Sequence, residues 1–181
     1  MSTTDYRFII YACPVGELNS QIKTYFAQSK QYGINKAHKY MPHCTLTGFF
    51  ADDISSIDFY IRALETAYLL AKKKNISLDV NIKKLILSKD WHGIELQAAG
   101  LKKLIIDFAQ LATSPTRQEN LRLKDWYHLS LAYGFNSQYA AELKTLATET
   151  INIQANVNWE LRFYHKNPDW TWNCLQSWNL S

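Results

Sequence analysis

The sequence predicts an α+β domain made of two similar lobes. Stretches in which apolar residues recur with helical spacing alternate with β-branched and aromatic runs that end at turn residues. The order helix, basic loop, histidine-bearing strand, helix and hairpin occurs twice, in halves of about residues 17–97 and 100–179. The histidines of the two strands, His43 and His128, lie 85 positions apart. Two copies of such a repeat favour a bilobal domain with pseudo-twofold symmetry over a solenoid.

Each element of the first half is predicted from its own pattern. Pro14 and Gly16 stop a first run of β-branched and aromatic residues, and Gly33 ends a first run with helical spacing. The predicted elements are a strand at Tyr6–Ala12, a helix at Glu17–Gln31, a strand at His43–Phe50, a helix at Asp53–Lys74 and a hairpin of Ile76–Leu87 and Trp91–Gln97.

The second half follows the same order after Gly100. Asn167-Pro168-Asp169 is a strong turn signal and predicts that the chain closes with a hairpin. The predicted elements are a helix at Leu101–Ala112, a strand at His128–Tyr133, a helix at Ser137–Thr148 and two strands at Ile151–His165 and Trp170–Trp178.

Composition limits the class of protein. The chain has 181 residues, 47% apolar and 20% charged, which suits a single folded domain over 1–181. Twenty basic and 16 acidic residues give a net charge of +4, which suits an anionic ligand without indicating a duplex-binding protein. Three scattered cysteines argue against a disulfide framework. With no long apolar stretch and no signal-peptide pattern at the start, we expect a cytoplasmic protein without membrane contact. One compact domain is expected to be a monomer, and no obligate protein partner is inferred.

The two histidine strands share the pattern His-x-Thr/Ser-Leu. They read HCTLTGFF from His43 and HLSLAYGF from His128. Because side chains alternate between the faces of a strand, His43 shares a face with Thr45, and His128 shares one with Ser130. The alternate leucine positions are typical of a core. We therefore expect two matching half-sites, each with one imidazole and one hydroxyl.

Two such half-sites, brought together, suit the opening of a phosphodiester without a metal ion. A neutral imidazole takes a proton from water, and a protonated one gives a proton to the leaving oxygen. Hydroxyl groups donate hydrogen bonds to the non-bridging oxygens of the phosphate between them. One copy of the pattern is weak, since a lone strand histidine is usually structural, but two copies at equivalent places of a repeat are far more specific.

This pair of strands resembles the two-histidine (2H) phosphoesterase superfamily, which includes the LigT-like cyclic phosphodiesterases. The segments 42–50, 128–135 and 161–164 resemble most the 2H domain of the TULA/Sts proteins, and the resemblance extends from about Tyr6 to Trp178. It implies a bilobal α+β fold with two antiparallel sheets around a central cleft and helices outside.

The resemblance also implies an activity and a set of site residues. The activity is metal-independent hydrolysis of 2′,3′-cyclic phosphates of nucleotides or RNA ends, without a cofactor. His43 and His128 are the implied acid and base, and Thr45 and Ser130 hold the phosphate. The order of the two histidines stays open. Hydrolysis of 2′–5′ or cyclic-oligonucleotide linkages, or nucleotide binding without catalysis on the same fold, are the alternatives.

Further residues have two interpretations each. Phe49 shares the histidine face by alternation and Trp91 lies at a hairpin, so either could contact substrate or simply pack in the core. Basic residues before each histidine strand form either an electropositive rim or ordinary solvated loops; they are Lys36, His38, Lys39, Arg117, Arg122 and Lys124. No pair of histidines has the spacing of a zinc site, so no metal is predicted.

Overall fold

The computed structural model describes residues 6–117 and 119–181, and its described part is an α+β domain built on one antiparallel sheet. Four α-helices and eight strands occur in the described part. The strands are β1 (Tyr6–Gly16), β2 (Cys44–Thr45), β3 (Phe50–Asp52), β4 (Asn81–Leu87), β5 (Trp91–Gln97), β6 (His128–Tyr133), β7 (Val157–Lys166) and β8 (Trp172–Asn179). The helices are α1 (Glu17–Ser29), α2 (Ile57–Lys73), α3 (Ala99–Leu111) and α4 (Ala140–Thr150).

The sheet is continuous, where two separate sheets were expected. Its strand order is β4-β5-β6-β2-β1-β7-β8, with β3 paired to β1. The pairing of Cys44 in β2 with Leu129 in β6 joins the two halves of the sheet at its centre. The expectation of two sheets was wrong because the two histidine strands hydrogen-bond to each other instead of facing one another across a gap.

The order of elements recurs along the chain with a different boundary from the one predicted. The first stretch runs β1-α1-β2-β3-α2-β4 and the second β5-α3-β6-α4-β7, so the two agree except for the short β3. Each stretch therefore begins with a strand, and β1 and β5 take equivalent places beside the two histidine strands. A pseudo-twofold relation between the halves stays a prediction.

The helices pack on one face of the sheet. Alternate residues of β1 divide between the two faces: Phe8 and Ile10 join the main core with residues of all four helices, whereas Ile9 and Tyr11 belong to a separate small cluster. We call the second side the open face. The helices cover one side of the sheet, and the site described below lies on the other.

The predicted strand at His43–Phe50 is interrupted. Only β2 and β3 are regular, because the residues between them bond to a loop of the second half. Gly48 N–H donates to the carbonyl of Arg122 (2.7 Å) and Lys124 N–H donates to that of Leu46 (3.0 Å). Thr47, fully buried, accepts the N–H of Ile10 through its hydroxyl (3.2 Å). Alternation along the predicted strand therefore fails after Thr45.

Other predicted elements are confirmed with shifted ends. The strand His128–Tyr133 is found as predicted, and the helices begin and end within a few residues of expectation, two of them after short 3₁₀ turns at Ile54–Ser56 and Ser137–Tyr139. The strand predicted from Ile76 begins only at Asn81, and that predicted from Ile151 only at Val157. In the described residues no helix has the length and apolarity that crossing a membrane demands.

Candidate active site

The antiparallel register of β2 and β6 brings the two half-sites together. Cys44 and Leu129 are paired, and both side chains are buried in the main core. Continuing this register by one residue on either side sets His43 opposite Ser130 and Thr45 opposite His128. All four side chains project onto the open face, and diagonal neighbours in such a pair lie about 7–8 Å apart, which leaves room for a phosphate.

The four residues line one cavity of about 330 Å³. Its remaining lining comes from aromatic residues and from the segment just before β2. These are Phe26, Ala37, Tyr40, Met41, Trp91, Trp126 and Tyr133. Trp91 was predicted as a substrate contact, and the structure places it in this cavity.

His43 is enclosed by aromatic rings and oriented by a backbone carbonyl. Its ring centroid lies 4.0 Å from that of Tyr11 and 5.2 Å from that of Tyr40. Its Nδ1 lies 2.7 Å from the carbonyl oxygen of Met41, so in the neutral ring Nδ1 carries the hydrogen and donates it. Nε2 is left with a free lone pair. Burial lowers the pKa of His43 to about 4, against a smaller opposite effect of the Met41 carbonyl.

His128 lies in a corresponding setting. Its ring stacks on Trp126 with centroids 4.1 Å apart and meets Trp91 edge-on at 5.4 Å. Burial lowers its pKa, and the charge of Lys124 lowers it further, whereas the carbonyl of Trp126 raises it. Nδ1 is buried and has no partner of good hydrogen-bond geometry among the described residues, so the Trp126 carbonyl acts on it only as a nearby dipole.

Ser130 is held by a tryptophan. The indole N–H of Trp91 donates a hydrogen bond to Oγ of Ser130 (3.0 Å). A side chain on Gly93, which pairs with Ser130 across β5 and β6, would lie 2.2 Å from the Trp91 ring. The glycine thus makes room for the indole. Because the indole uses one lone pair of Oγ, the hydroxyl hydrogen of Ser130 is free to point into the cavity.

Tyr133 lines the cavity because of a β-bulge that no local sequence pattern predicts. His92 pairs with Ala132, yet the next residue, Gly93, pairs with Ser130, so β6 has one extra residue. The bulge reverses the alternation after Leu131 and turns Tyr133 to the open face. Simple alternation puts it on the leucine face. Burial raises the pKa of Tyr133 to about 12, so its hydroxyl stays protonated at neutral pH.

Phe49 lies beside the cavity and does not line it. Its ring stacks on Trp172 at 6.0 Å, in the small cluster around Tyr11 on the open face. The predicted alternation ended at Thr45, which explains why Phe49 does not follow the two site residues into the cavity.

The predicted basic rim divides into structural and site-facing residues. His38 bonds to Ser29 and Asn35, and Arg117 bonds to Tyr60 and two backbone carbonyls, so both hold loops in place. The guanidinium of Arg122 donates to the carbonyl of Phe49 (3.2 Å). The charge of Lys124 lowers the pKa of His128, so this lysine faces the site.

The described residues contain no arrangement of side chains that suits a metal ion. No group of three or more His, Cys, Asp or Glu side chains lies close enough there to hold an ion.

Three residues of the cavity were not predicted as site residues from the sequence: Tyr40, Trp126 and Tyr133. Two of them had a usable signal, since each stands two or three residues before a site histidine.

Several known proteins are similar in sequence to this chain. The chain is 33% identical over 156 residues to "Ubiquitin-associated and SH3 domain-containing protein B" of Mus musculus and of Homo sapiens, which covers 84% of this chain. It is 29% identical over 166 residues to "Ecdysteroid-phosphate phosphatase" of Bombyx mori, covering 89%. The chain spans about a quarter of the length of these relatives. No family model matches it.

Proposed function

We propose that this chain is a two-histidine phosphoesterase that hydrolyses 2′,3′-cyclic phosphates of nucleotides or RNA ends without a metal ion. The observation that carries the proposal is the pairing of Cys44 with Leu129, which sets both His-x-Thr/Ser patterns on one face of one sheet. Two imidazoles and two hydroxyls then line a single cavity. The proposed substrate is an anion, which suits the chain's net charge of +4.

In the proposed reaction His43 is the base. Its lowered pKa keeps it neutral at pH 7, and the bond from Nδ1 to Met41 leaves Nε2 to accept a proton from water. The oxygen of that water forms a bond to phosphorus while the bond from phosphorus to one ribose oxygen breaks. This assigns to His43 a role that the symmetric pattern alone left open.

His128 is then the acid that gives a proton to the departing ribose oxygen. Its pKa is lowered in the free protein, so the anionic substrate must first raise it. A phosphate between the two histidines does this, because a nearby negative charge favours the imidazolium. Thr45 and Ser130 donate hydrogen bonds to the non-bridging oxygens as charge builds up on them.

Binding of a nucleotide base is assigned to the aromatic lining. Trp126 is 48% exposed and lies over His128, and Trp91 and Tyr40 line the same cavity. Aromatic faces stack on any base, so this lining supports nucleotide substrates without selecting one base.

A panel of esters in the presence of EDTA tests the proposal. We expect the wild type to hydrolyse 2′,3′-cyclic mononucleotides with unchanged rate after chelation. A phosphomonoester, the kind of substrate for which the silkworm relative is named, serves as the comparison and should remain intact. Hydrolysis of the monoester alone would overturn the proposal. Binding of a mononucleotide without turnover would indicate a binding module, and cleavage of only 2′–5′ or cyclic oligonucleotides would indicate the other phosphodiester class.

A further inference from the structure

Trp170 occupies an unusual backbone position in the turn between β7 and β8. Its N–H donates to the carbonyl of Asn167 (3.1 Å), and the N–H of Asn167 donates to that of Thr171 (2.9 Å). Within this turn Trp170 has a φ of 65°. Hairpin loops favour glycine at a left-handed position, and a bulky side chain there is an outlier of the kind that clusters at functional sites.

The ring of Trp170 is exposed, and two positive charges lie close to it. It is 41% exposed. The ammonium nitrogens of Lys39 and Lys166 lie 4.9 Å and 4.1 Å from its centroid. The carboxylate of the turn, Asp169, accepts hydrogen bonds from the backbone and hydroxyl of Thr171. An exposed indole with two lysines matches what single-stranded nucleic acid requires: a stacking surface and cations for the backbone.

This surface adjoins the site cavity through Tyr40. The Tyr40 ring meets Trp170 edge-on at 5.8 Å on one side and lies 5.2 Å from His43 on the other. Trp172 holds the backbone of Lys39 in place, because its indole N–H donates to the carbonyl of Lys39 (3.2 Å). Its ring stacks on Phe49. The exposed ring is therefore two ring contacts from the proposed base.

We infer that Trp170, Lys39 and Lys166 form a subsite for the nucleotide that precedes the cyclic phosphate, so that the substrate class is single-stranded RNA with a 2′,3′-cyclic end. The inference rests on the proposed function. An ammonium over an exposed ring is held more weakly than a stacked base, so an incoming base displaces a lysine from the ring. The displaced ammonium stays within reach of the adjoining phosphates.

Substrate preference tests this subsite. The preference is kcat/KM for tetrauridylate with a 2′,3′-cyclic end divided by kcat/KM for uridine 2′,3′-cyclic monophosphate. Trp170→Gly removes the ring and suits the left-handed backbone. We expect it to lower the preference about tenfold, within the range of about 5- to 150-fold that one stacked base provides. Leu69→Ala, which shortens an exposed side chain on α2, is the control and should leave the preference unchanged. An unchanged preference in Trp170→Gly would overturn the inference.

A binding measurement separates failure of the subsite from failure of the proposed function. Fluorescence anisotropy of tetrauridylate with a 3′-phosphate needs no turnover, and Trp170→Gly should raise its Kd about tenfold. Lys39→Ala and Lys166→Ala should each reduce the slope of log Kd against log salt by about 0.7, whereas the exposed Lys23→Ala should not. Binding that depends on Trp170 without turnover of any cyclic phosphate would refute the function and leave the subsite. Turnover with binding that ignores Trp170 would refute the subsite alone.

Discussion

The ring of His43 lies between Tyr11 and Tyr40, and this enclosure decides the protonation state in which it works. Burial disfavours the imidazolium, so His43 is neutral down to about pH 4. Burial also lowers the pKa of His128, and the charge of Lys124 adds to this. Two histidines with equivalent motifs thus have different surroundings, and on the proposed mechanism this difference makes His43 the base.

The pH dependence of kcat/KM follows from these two shifts. Activity needs neutral His43, so it falls as pH drops through about 4. It also needs protonated His128, so it falls as pH rises through a pKa that lies below 6.5 in the free protein. We therefore expect a bell-shaped profile with its optimum on the acid side of pH 6.5 and a loss of about tenfold per pH unit above it. Steady-state assays between about pH 3 and pH 9 cover both limbs of the profile.

Lys124→Met is the matched variant for that profile. Removing the ammonium removes a charge that opposes protonation of His128, so the alkaline limb should move to higher pH. The distant Lys23→Met should leave both limbs in place. A flat profile, or an optimum above pH 7, would contradict the assignment of the two histidines.

Trp91 is a positioning residue for Ser130 through its indole N–H. Trp91→Phe keeps an aromatic ring and removes the donor, and we expect kcat to fall about tenfold, as the loss of one hydrogen bond of about 1–1.5 kcal/mol predicts. In a Ser130→Ala background the same substitution should have almost no further effect on kcat. A double-mutant cycle measures this coupling. Additive losses would show that Trp91 contributes by a route other than Ser130.

At the scale of elements, the loop between α3 and β6 is fastened to the start of α2 by one buried carboxylate. Asp52 accepts hydrogen bonds from the hydroxyls of Tyr60 (2.6 Å), Ser114 (2.7 Å) and Thr116 (2.6 Å). Burial raises the pKa of Asp52, but these hydrogen bonds together lower it below its usual value. The same loop continues to the residues that interrupt the first histidine strand.

Asp52→Ala should therefore destabilise the fold. It leaves three hydroxyl groups without their acceptor, and we expect the free energy of unfolding to fall by about 2–4 kcal/mol. Urea unfolding at pH 7 measures the loss. Asp53→Ala is the neighbouring control: Asp53 caps only the short turn at Ile54–Ser56, and its removal should cost much less than the removal of Asp52. Equal losses for the two variants would refute the special role of Asp52.

Local pattern predicted the elements well where hydrogen bonding is regular. Alternation placed Thr45 with His43, and Ser130 with His128, because β2 and β6 are extended at those residues. It failed at Phe49, where the chain bonds to a loop far along the sequence, and no local signal marks such a contact. It also failed at Tyr133, because a bulge depends on the pairing of two strands and not on either strand alone.

At the scale of the whole molecule, the sheet brings the two His-x-Thr/Ser patterns side by side. Residues 85 positions apart become neighbours because β2 and β6 pair at the sheet centre, and the helices on the far side leave the open face free. The repeat pattern predicted the two half-sites, whereas the family resemblance implied a cleft between two sheets. Which strands pair depends on the packing of the complete core, and the repeat pattern carries no information on it.

Hydrolysis of a 2′,3′-cyclic mononucleotide by His43→Ala, His128→Ala and the double variant tests the central claim most directly. Each single substitution should lower kcat/KM about 10²- to 10⁴-fold. Because the two rings act in one step, the double variant should lose much less than the product of the single losses. His165→Gln, a histidine that packs against Tyr6 and Phe8 away from the cavity, should retain wild-type activity. Near wild-type activity in either single alanine variant would contradict the two-histidine mechanism.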